Sequence, residues 1–190
     1  MAAQIVVERG LKADRRKMAY MDNPDKKRNP ECWFTPKIYV NAARIVLGSI
    51  ELDPYSSELA NRAVCAERYF SLANPAETNE WNCETLFMNP PYGRKVMPKA
   101  VDKFVEEYKK YHFSAIVLTN NCSETKWCTT LYKNSTCVCH TDHRISFYEF
   151  DGKSLSNNSR GQLFFYYGNN ADSFKREFKR FGYLVEYCNM

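Results

Sequence analysis

Apolar positions recur along this chain first with a helical period and later with a period near two. Ile38, Ala42, Ile45 and Val46 repeat at helical spacing up to Gly48, and Thr35 as N-cap with Pro36 as first helical residue predicts a helix there. Ser49 to Asp53 reads as a short strand closed by Pro54, and Ser56 or Ser57 caps a helix running through Glu58, Leu59, Ala60 and Ala63. Residues 65–84 are irregular, with Asn74-Pro75 as a breaker. The apolar run Leu86-Phe87-Met88 predicts a buried strand stopped by two prolines. Met97, Val101, Phe104, Val105 and Tyr108 then form a helical core stripe, leaving Lys99, Lys103, Lys109 and Lys110 to face outward. Phe113 to Thr119 is the best central strand and ends at Asn120-Asn121-Cys122-Ser123, where Ser123 caps a helix through Trp127 and Leu131.

From Thr136 the rhythm changes. Arg144 to Tyr148 and Gln162 to Tyr167 predict an antiparallel pair at a sheet edge, joined by the polar loop 151–161. Phe174, Phe178 and Phe181 mark one face of a last helix stopped by Gly182. Alternating strands and helices before this point predict an α/β fold, a mainly parallel sheet with right-handed crossovers.

The 190 residues suit one domain, and the 44% hydrophobic content with 13 Tyr and 12 Phe excludes a disordered chain. No apolar run approaches the roughly 18 residues of a membrane span, and Met1 to Gly10 lacks a secretory core, so a soluble intracellular protein without a membrane partner is expected. The eight cysteines are then expected to be free thiols. Cys137-x-Cys139-His140-x-x-His143 is the one cluster with metal-like spacing. Two cysteines two apart on a strand point to the same face, so core packing is the expectation and no metal is assigned. Charge is uneven: residues 1–30 hold eight basic and four acidic side chains and so carry +4 of the net +5. They read as a basic arm preceding a single domain over 31–190. The arm is either a partner for a polyanion such as DNA or RNA, and an import signal in a nucleated host, or a solvated terminus.

The candidate chemistry centres on Asn89-Pro90-Pro91-Tyr92, directly after the strand. An amino group on an aromatic ring shares its lone pair with the ring and is a poor nucleophile. Two acceptors aimed at its two N–H bonds draw the nitrogen toward tetrahedral geometry. The Asn89 side-chain oxygen and the Pro90 carbonyl supply them, with Pro91 fixing the loop and Tyr92 offering a flat face for stacking. The plain alternative is a proline turn with a surface tyrosine. Asp53 at a strand end suits the ammonium or hydroxyls of a nucleoside-type cofactor and equally suits a turn. Glu67 is a candidate ribose-binding acid, by analogy with dinucleotide folds. Trp81 either covers a cofactor adenine or packs in the core. Lys153, Asn157, Asn158 and Arg160 fit phosphate or base contacts, as they fit an ordinary hairpin loop.

In order along the chain, Trp33-Phe34-Thr35-Pro36, Leu52-Asp53-Pro54 with Ser56, Ser57 and Asn61, Trp81, Asn89-Pro90-Pro91-Tyr92, Thr125-Lys126-Trp127 and Arg160-Gly161-Gln162 resemble the class I S-adenosylmethionine-dependent methyltransferases. Within them the chain looks like the compact phage-type DNA N6-adenine methyltransferases, over roughly residues 31–182. The resemblance implies a Rossmann-like fold with an antiparallel C-terminal hairpin. It makes Asn89, Pro90, Pro91 and Tyr92 the catalytic loop and puts S-adenosylmethionine near Thr35, Pro36, Asp53 and Pro54, with Trp33 and Glu67 as further cofactor candidates. A flipped adenine in DNA would be the substrate, with Asn120 and Asn121 lining its pocket and Arg94, Lys95, Arg144 and Arg160 on phosphates. The cellular place implied is the cytoplasm of a prokaryotic or phage host, or a eukaryotic nucleus. Two features depart from the larger relatives: Tyr55-Ser56-Ser57-Glu58 has no glycine, and 190 residues leave no separate target-recognition domain. The same loop also serves cytosine N4, RNA adenine and protein glutamine, and a silent nucleic-acid-binding subunit could keep it.

Overall fold

The structure, a computed structural model, describes residues 34–148, 154–155 and 158–186, the pair 154–155 by backbone alone. The basic arm, Trp33, Lys153 and Asn157 lie outside the described residues. Five α-helices are described, α1 (Lys37–Leu47), α2 (Glu58–Val64), α3 (Val96–Tyr111), α4 (Lys126–Asn134) and α5 (Ala171–Phe178), with a short 3-10 helix at Ala76–Thr78. The strands are β1 (Leu52–Asp53), β2 (Arg68–Tyr69), β3 (Thr85–Met88), β4 (Ser114–Asn120), β5 (Cys137–Thr141), β6 (Phe147–Tyr148), β7 (Ser154–Leu155), β8 (Gln162–Tyr167) and β9 (Gly182–Val185). Seven form one sheet in the order β2-β1-β3-β4-β8-β5-β9. β2, β1, β3 and β4 run parallel, whereas β8 lies antiparallel between β4 and β5, and β9 is antiparallel to β5.

Period-two alternation in the central strands feeds two separate cores. Leu86 and Met88 of β3, Ala115 and Val117 of β4, and Leu163, Phe165 and Tyr167 of β8 pack with Met97, Val101 and Phe104 of α3 and Leu131 of α4. Phe87, Ile116, Leu118, Phe164 and Tyr166 face the other way, onto Tyr39, Ala42 and Ala43 of α1 and Phe174 and Phe178 of α5. Burial on both faces is what a central strand requires, at about 1.5–3 kcal/mol for each large apolar side chain withdrawn from water. Aromatic pairs such as Phe104 and Tyr167, edge to face at 4.8 Å, add to this.

Several expectations are corrected. Gln162–Tyr167 does not pair with residues 144–148: it is inserted between β4 and β5, while Phe147–Tyr148 pairs with Ser154–Leu155 in a separate two-stranded sheet. The reason is visible in burial, since all six β8 residues are buried and an edge position could not cover both faces. α1 begins after Pro36, which is its N-cap, so Thr35 does not cap it. Ile38 and Ile45 are 53% and 57% exposed, because packing selects the face carrying Tyr39, Val40, Ala42, Ala43 and Val46. The predicted stop at Gly48 holds: its φ is 82° and its N–H donates to the Arg44 carbonyl. Of the two serines offered as cap for α2, Ser57 serves, accepting from the Ala60 N–H at 3.1 Å. Thr125 rather than Ser123 caps α4, its hydroxyl accepting from the Cys128 N–H. Lys103 turns inward to donate to Glu107 at 2.6 Å, and Glu107, only 3% exposed, also accepts from the Trp81 N–H. Trp81 itself is fully buried and donates through its indole N–H to the Ala76 carbonyl, so it belongs to the core.

Cys137 and Cys139 are both fully buried in the α1/α5 core, as two cysteines on one strand face should be. Burial pushes the Cys139 thiol up to about 12. Among the described residues no group of three or more His, Cys, Asp or Glu is arranged to hold a metal, and no helix is long and apolar enough to cross a membrane.

The last helix ends at Phe178, before the predicted stop, and Gly182 instead opens the edge strand β9. A Cβ on Gly182 would lie 1.8 Å from the His140 carbonyl oxygen, whereas one on Gly161 would meet nothing within 4 Å. Gly182→Ala should therefore lose about 1–3 kcal/mol or detach β9, while Gly161→Ala stays within about 0.5 kcal/mol, as chemical denaturation would measure.

Candidate active site

Parallel strands carry their C-terminal ends to one edge of the sheet, and there Asp53, Asn89 and Asn120 follow or end β1, β3 and β4. β5 runs in the same sense as β4, both being antiparallel to β8, so Thr141 at the end of β5 and Gln162 at the start of β8 also lie at this edge. Topology thus brings Arg144 and Arg160 to the rim that holds the strand ends. β6 reaches the entry to α1 through a two-way backbone bridge: the Phe34 N–H donates to the Tyr148 carbonyl at 3.0 Å, and the Tyr148 N–H returns to Phe34 at 3.1 Å.

The side chains of the proline loop meet that entry directly. Asn89 Nδ2 donates to Thr35 Oγ1 at 3.0 Å, and the Tyr92 hydroxyl donates to Asn89 Oδ1 at 2.7 Å. Thr35 and Pro36 are buried, as is Pro90, while Asn89, Pro91 and Tyr92 are half-buried. The Tyr92 ring packs against both cores and edge-on to Phe147, at 6.2 Å between centroids. Burial raises the Tyr92 phenol well above its ordinary range, so the hydroxyl is a neutral donor. Tyr92 therefore does not stand as an open platform here. Its hydroxyl holds the same acceptor that an incoming amino group would use. Phe147, unremarked in the sequence, is part of this site; its only sequence signal is the alternation from Arg144 to Tyr148.

Asp53 is 3% exposed, and burial pushes its carboxyl up to about 7, opposed by the Tyr55 N–H, which donates to Oδ1 at 3.2 Å. Pro54 and Ser56 beside it are buried, and Ser56 Oγ makes no hydrogen bond among the described residues. A buried acid and an unused hydroxyl at a strand end fit a cationic, polar ligand, which would stabilise the ionised carboxylate. S-adenosylmethionine, with its ammonium and sulfonium, is such a group. Asn61 supports the same region by bracketing Ala66, accepting from its N–H at 2.8 Å and donating to its carbonyl at 3.0 Å.

Other candidates are distributed unevenly. Glu67 is exposed and precedes β2, its N–H donating to the Ile50 carbonyl, so its backbone lies level with Glu51, two residues before Asp53. Asn120 is engaged at the rim, accepting from Gln162 Nε2 at 3.0 Å. Gln162, which the sequence marks only within Arg160-Gly161-Gln162 and with no role of its own, is a hub: its side chain also accepts from the Ile145 N–H and donates to the Arg160 carbonyl. Asn158 is buried and donates to the Ile145 carbonyl, tying down the loop from within. Arg94, Lys95, Arg144 and Arg160 are exposed, with the Arg160 guanidinium 2.9 Å from Cys122 Sγ on the loop after β4.

The profile of a family described as DNA N-6-adenine-methyltransferase (Dam) matches residues 22–181. A comparison with curated proteins finds no match. The seven-stranded mixed sheet, parallel at its centre and flanked by helices, is a Rossmann-like methyltransferase fold.

The raised Asp53 carboxyl makes stability depend on pH. With an unfolded value near 3.9, its neutral form stabilises the folded chain fully below about pH 4, and that contribution is lost as pH rises through about 7. Asp53→Asn keeps an acceptor for the Tyr55 N–H and removes the charge. In the ligand-free protein it should raise stability at pH 8 by on the order of 1–3 kcal/mol and change little at pH 4, as paired thermal melts would show.

Proposed function

The chain belongs to the DNA N-6-adenine-methyltransferase (Dam) family, and from that premise we propose that it transfers a methyl group from S-adenosylmethionine to N6 of an adenine flipped out of DNA. What supports this reading most directly is Asn89-Pro90-Pro91-Tyr92 at the end of β3, one strand away from Asp53. Pro36, Asp53 and Pro54, with the unused Ser56 hydroxyl, would hold the cofactor. Bound S-adenosylmethionine supplies an electrophilic methyl on a sulfonium.

The protein's part is positioning. Asn89 Oδ1 and the Pro90 carbonyl accept the two N6 hydrogens, which localises the nitrogen lone pair and directs it at the methyl. For this the adenine amino group displaces the Tyr92 hydroxyl from Asn89 Oδ1, exchanging one hydrogen bond for another. The Tyr92 ring, freed from that contact, stacks on the base, and Phe147 supports its far edge. Neither Asn89 nor Pro90 can take a proton, so the hydrogen made acidic by methylation leaves to solvent. Arg94, Lys95, Arg144 and Arg160, exposed on or beside the rim, would contact phosphates and make binding salt-dependent.

Incubation with labelled S-adenosylmethionine and unmethylated duplex DNA, followed by nucleoside mass spectrometry, should give N6-methyladenine. Asn89→Ala should lower kcat by roughly 10²–10³-fold. Product at cytosine N4, product on RNA alone, or cofactor binding without turnover would overturn the assignment in favour of another amino acceptor or a silent subunit. A second comparison tests the stacking role: Tyr92→Ala should lose about 1–3 kcal/mol in kcat/KM for DNA, and Tyr92→Phe, which keeps the ring, distinctly less.

A further inference from the structure

A carboxamide presents two ends of nearly the same shape, and only one of them is an acceptor. Rotation about the terminal bond of asparagine is soft, so the side chain alone does not decide whether oxygen or nitrogen faces a ligand. Turned the wrong way, Asn89 would set an NH₂ against an amino group and leave one of its hydrogens without an acceptor. Tyr92 donates to Oδ1 from within the loop, but that bond is given up when the amino group arrives, so a contact that persists has to fix the orientation.

We propose that Thr35 is the positioning residue that fixes it, by accepting from Asn89 Nδ2 at 3.0 Å and so directing Oδ1 at the amino group to be methylated. This rests on the function proposed above and adds to it a role separate from cofactor contact. The Thr35 hydroxyl is available because it does not cap α1, whose N-cap is Pro36 with no side-chain cap bond. Its place is fixed on both sides, by the Phe34–Tyr148 backbone bridge before it and by buried Pro36 after it. A β-branched side chain only 6% exposed has little freedom to turn away. The Tyr92 hydroxyl on Oδ1 shows that the oxygen faces away from Thr35 as an acceptor. Thr35 and Asn89 lie 54 residues apart, so the orientation of the catalytic amide depends on a segment outside the proline loop.

Thr35→Val removes the acceptor at nearly constant shape, and Thr35→Ser restores it. In the full chain, kcat of Thr35→Val on DNA should fall on the order of 10–100-fold, and Thr35→Ser should return to within about threefold of wild type. S-adenosylhomocysteine affinity, measured by calorimetry, should change less than about threefold in both. The side-chain ¹⁵NH₂ signal of Asn89, assigned by its loss in Asn89→Ala, should move toward that of a solvated amide in Thr35→Val and stay in place in Thr35→Ser. An unmoved amide signal, a Ser variant as slow as the Val variant, or a defect confined to cofactor affinity would overturn the proposal. A wild type silent on DNA whose amide signal still responds to Thr35→Val would overturn the substrate and retain the positioning contact.

Discussion

β3, β4 and β8 have almost no solvent-facing side, and that constraint organises the rest of the molecule. A strand covered on both faces can expose polar groups only at its ends. Three parallel strands put three such ends together, and Asp53, Asn89 and Asn120 stand there. The same constraint explains β8. Six buried residues in succession cannot lie at an edge, so the strand enters between β4 and β5, and Thr141 and Gln162 stand at the rim where the proline loop emerges.

What holds the site is a set of polar contacts between segments remote in sequence. Thr35, Asn89 and Tyr92 form one chain of hydrogen bonds, and Gln162 ties Asn120, Ile145 and Arg160 into another. Each bond is worth only about 1 kcal/mol net, yet leaving such a buried group unpaired costs more than making the bond gains. Asp53 carries the opposite tension. Its carboxyl is held up by burial, and a positively charged ligand is the natural means of relieving that.

Much of this was legible in the sequence, and the reasons differ by element. The β3 and β4 strands and the α3 stripe were readable because their apolar runs are long and bounded by breakers. Cys137 and Cys139 were readable as core because a period of two sends both sulfurs one way. The partner of Gln162–Tyr167 was not, since the run itself records burial and does not say which strands supply it. α1 was readable as a helix but not in its facing, because Ile38 and Ile45 compete with Tyr39, Val40 and Val46 and only tertiary packing decides between them. Lys103 misled for a related reason: a lysine on a helix is taken as solvated unless a buried acid such as Glu107 lies one turn on. In the site, Asn89-Pro90-Pro91-Tyr92 announced itself by residue type. Thr35 was named for another role, and Phe147 passed unnoticed as a neighbour of Tyr92, because neither contact is local in sequence.

The bridge between Phe34 and Tyr148 bears on when the site can come into being. It closes a loop that contains the first four α-helices and the first five strands, so most of the domain must be made before the two residues can meet. Closing so long a loop carries a large entropic cost, which is recovered only once the sheet beneath it is in place. During synthesis, a chain that has emerged only as far as β4 already contains Asp53, Asn89, Tyr92 and Asn120, yet it lacks the strand that clips Thr35 beside the loop. The nascent protein thus holds the residues of the candidate site before it holds their arrangement, and that arrangement arrives late, with the pairing of Tyr148 to Phe34.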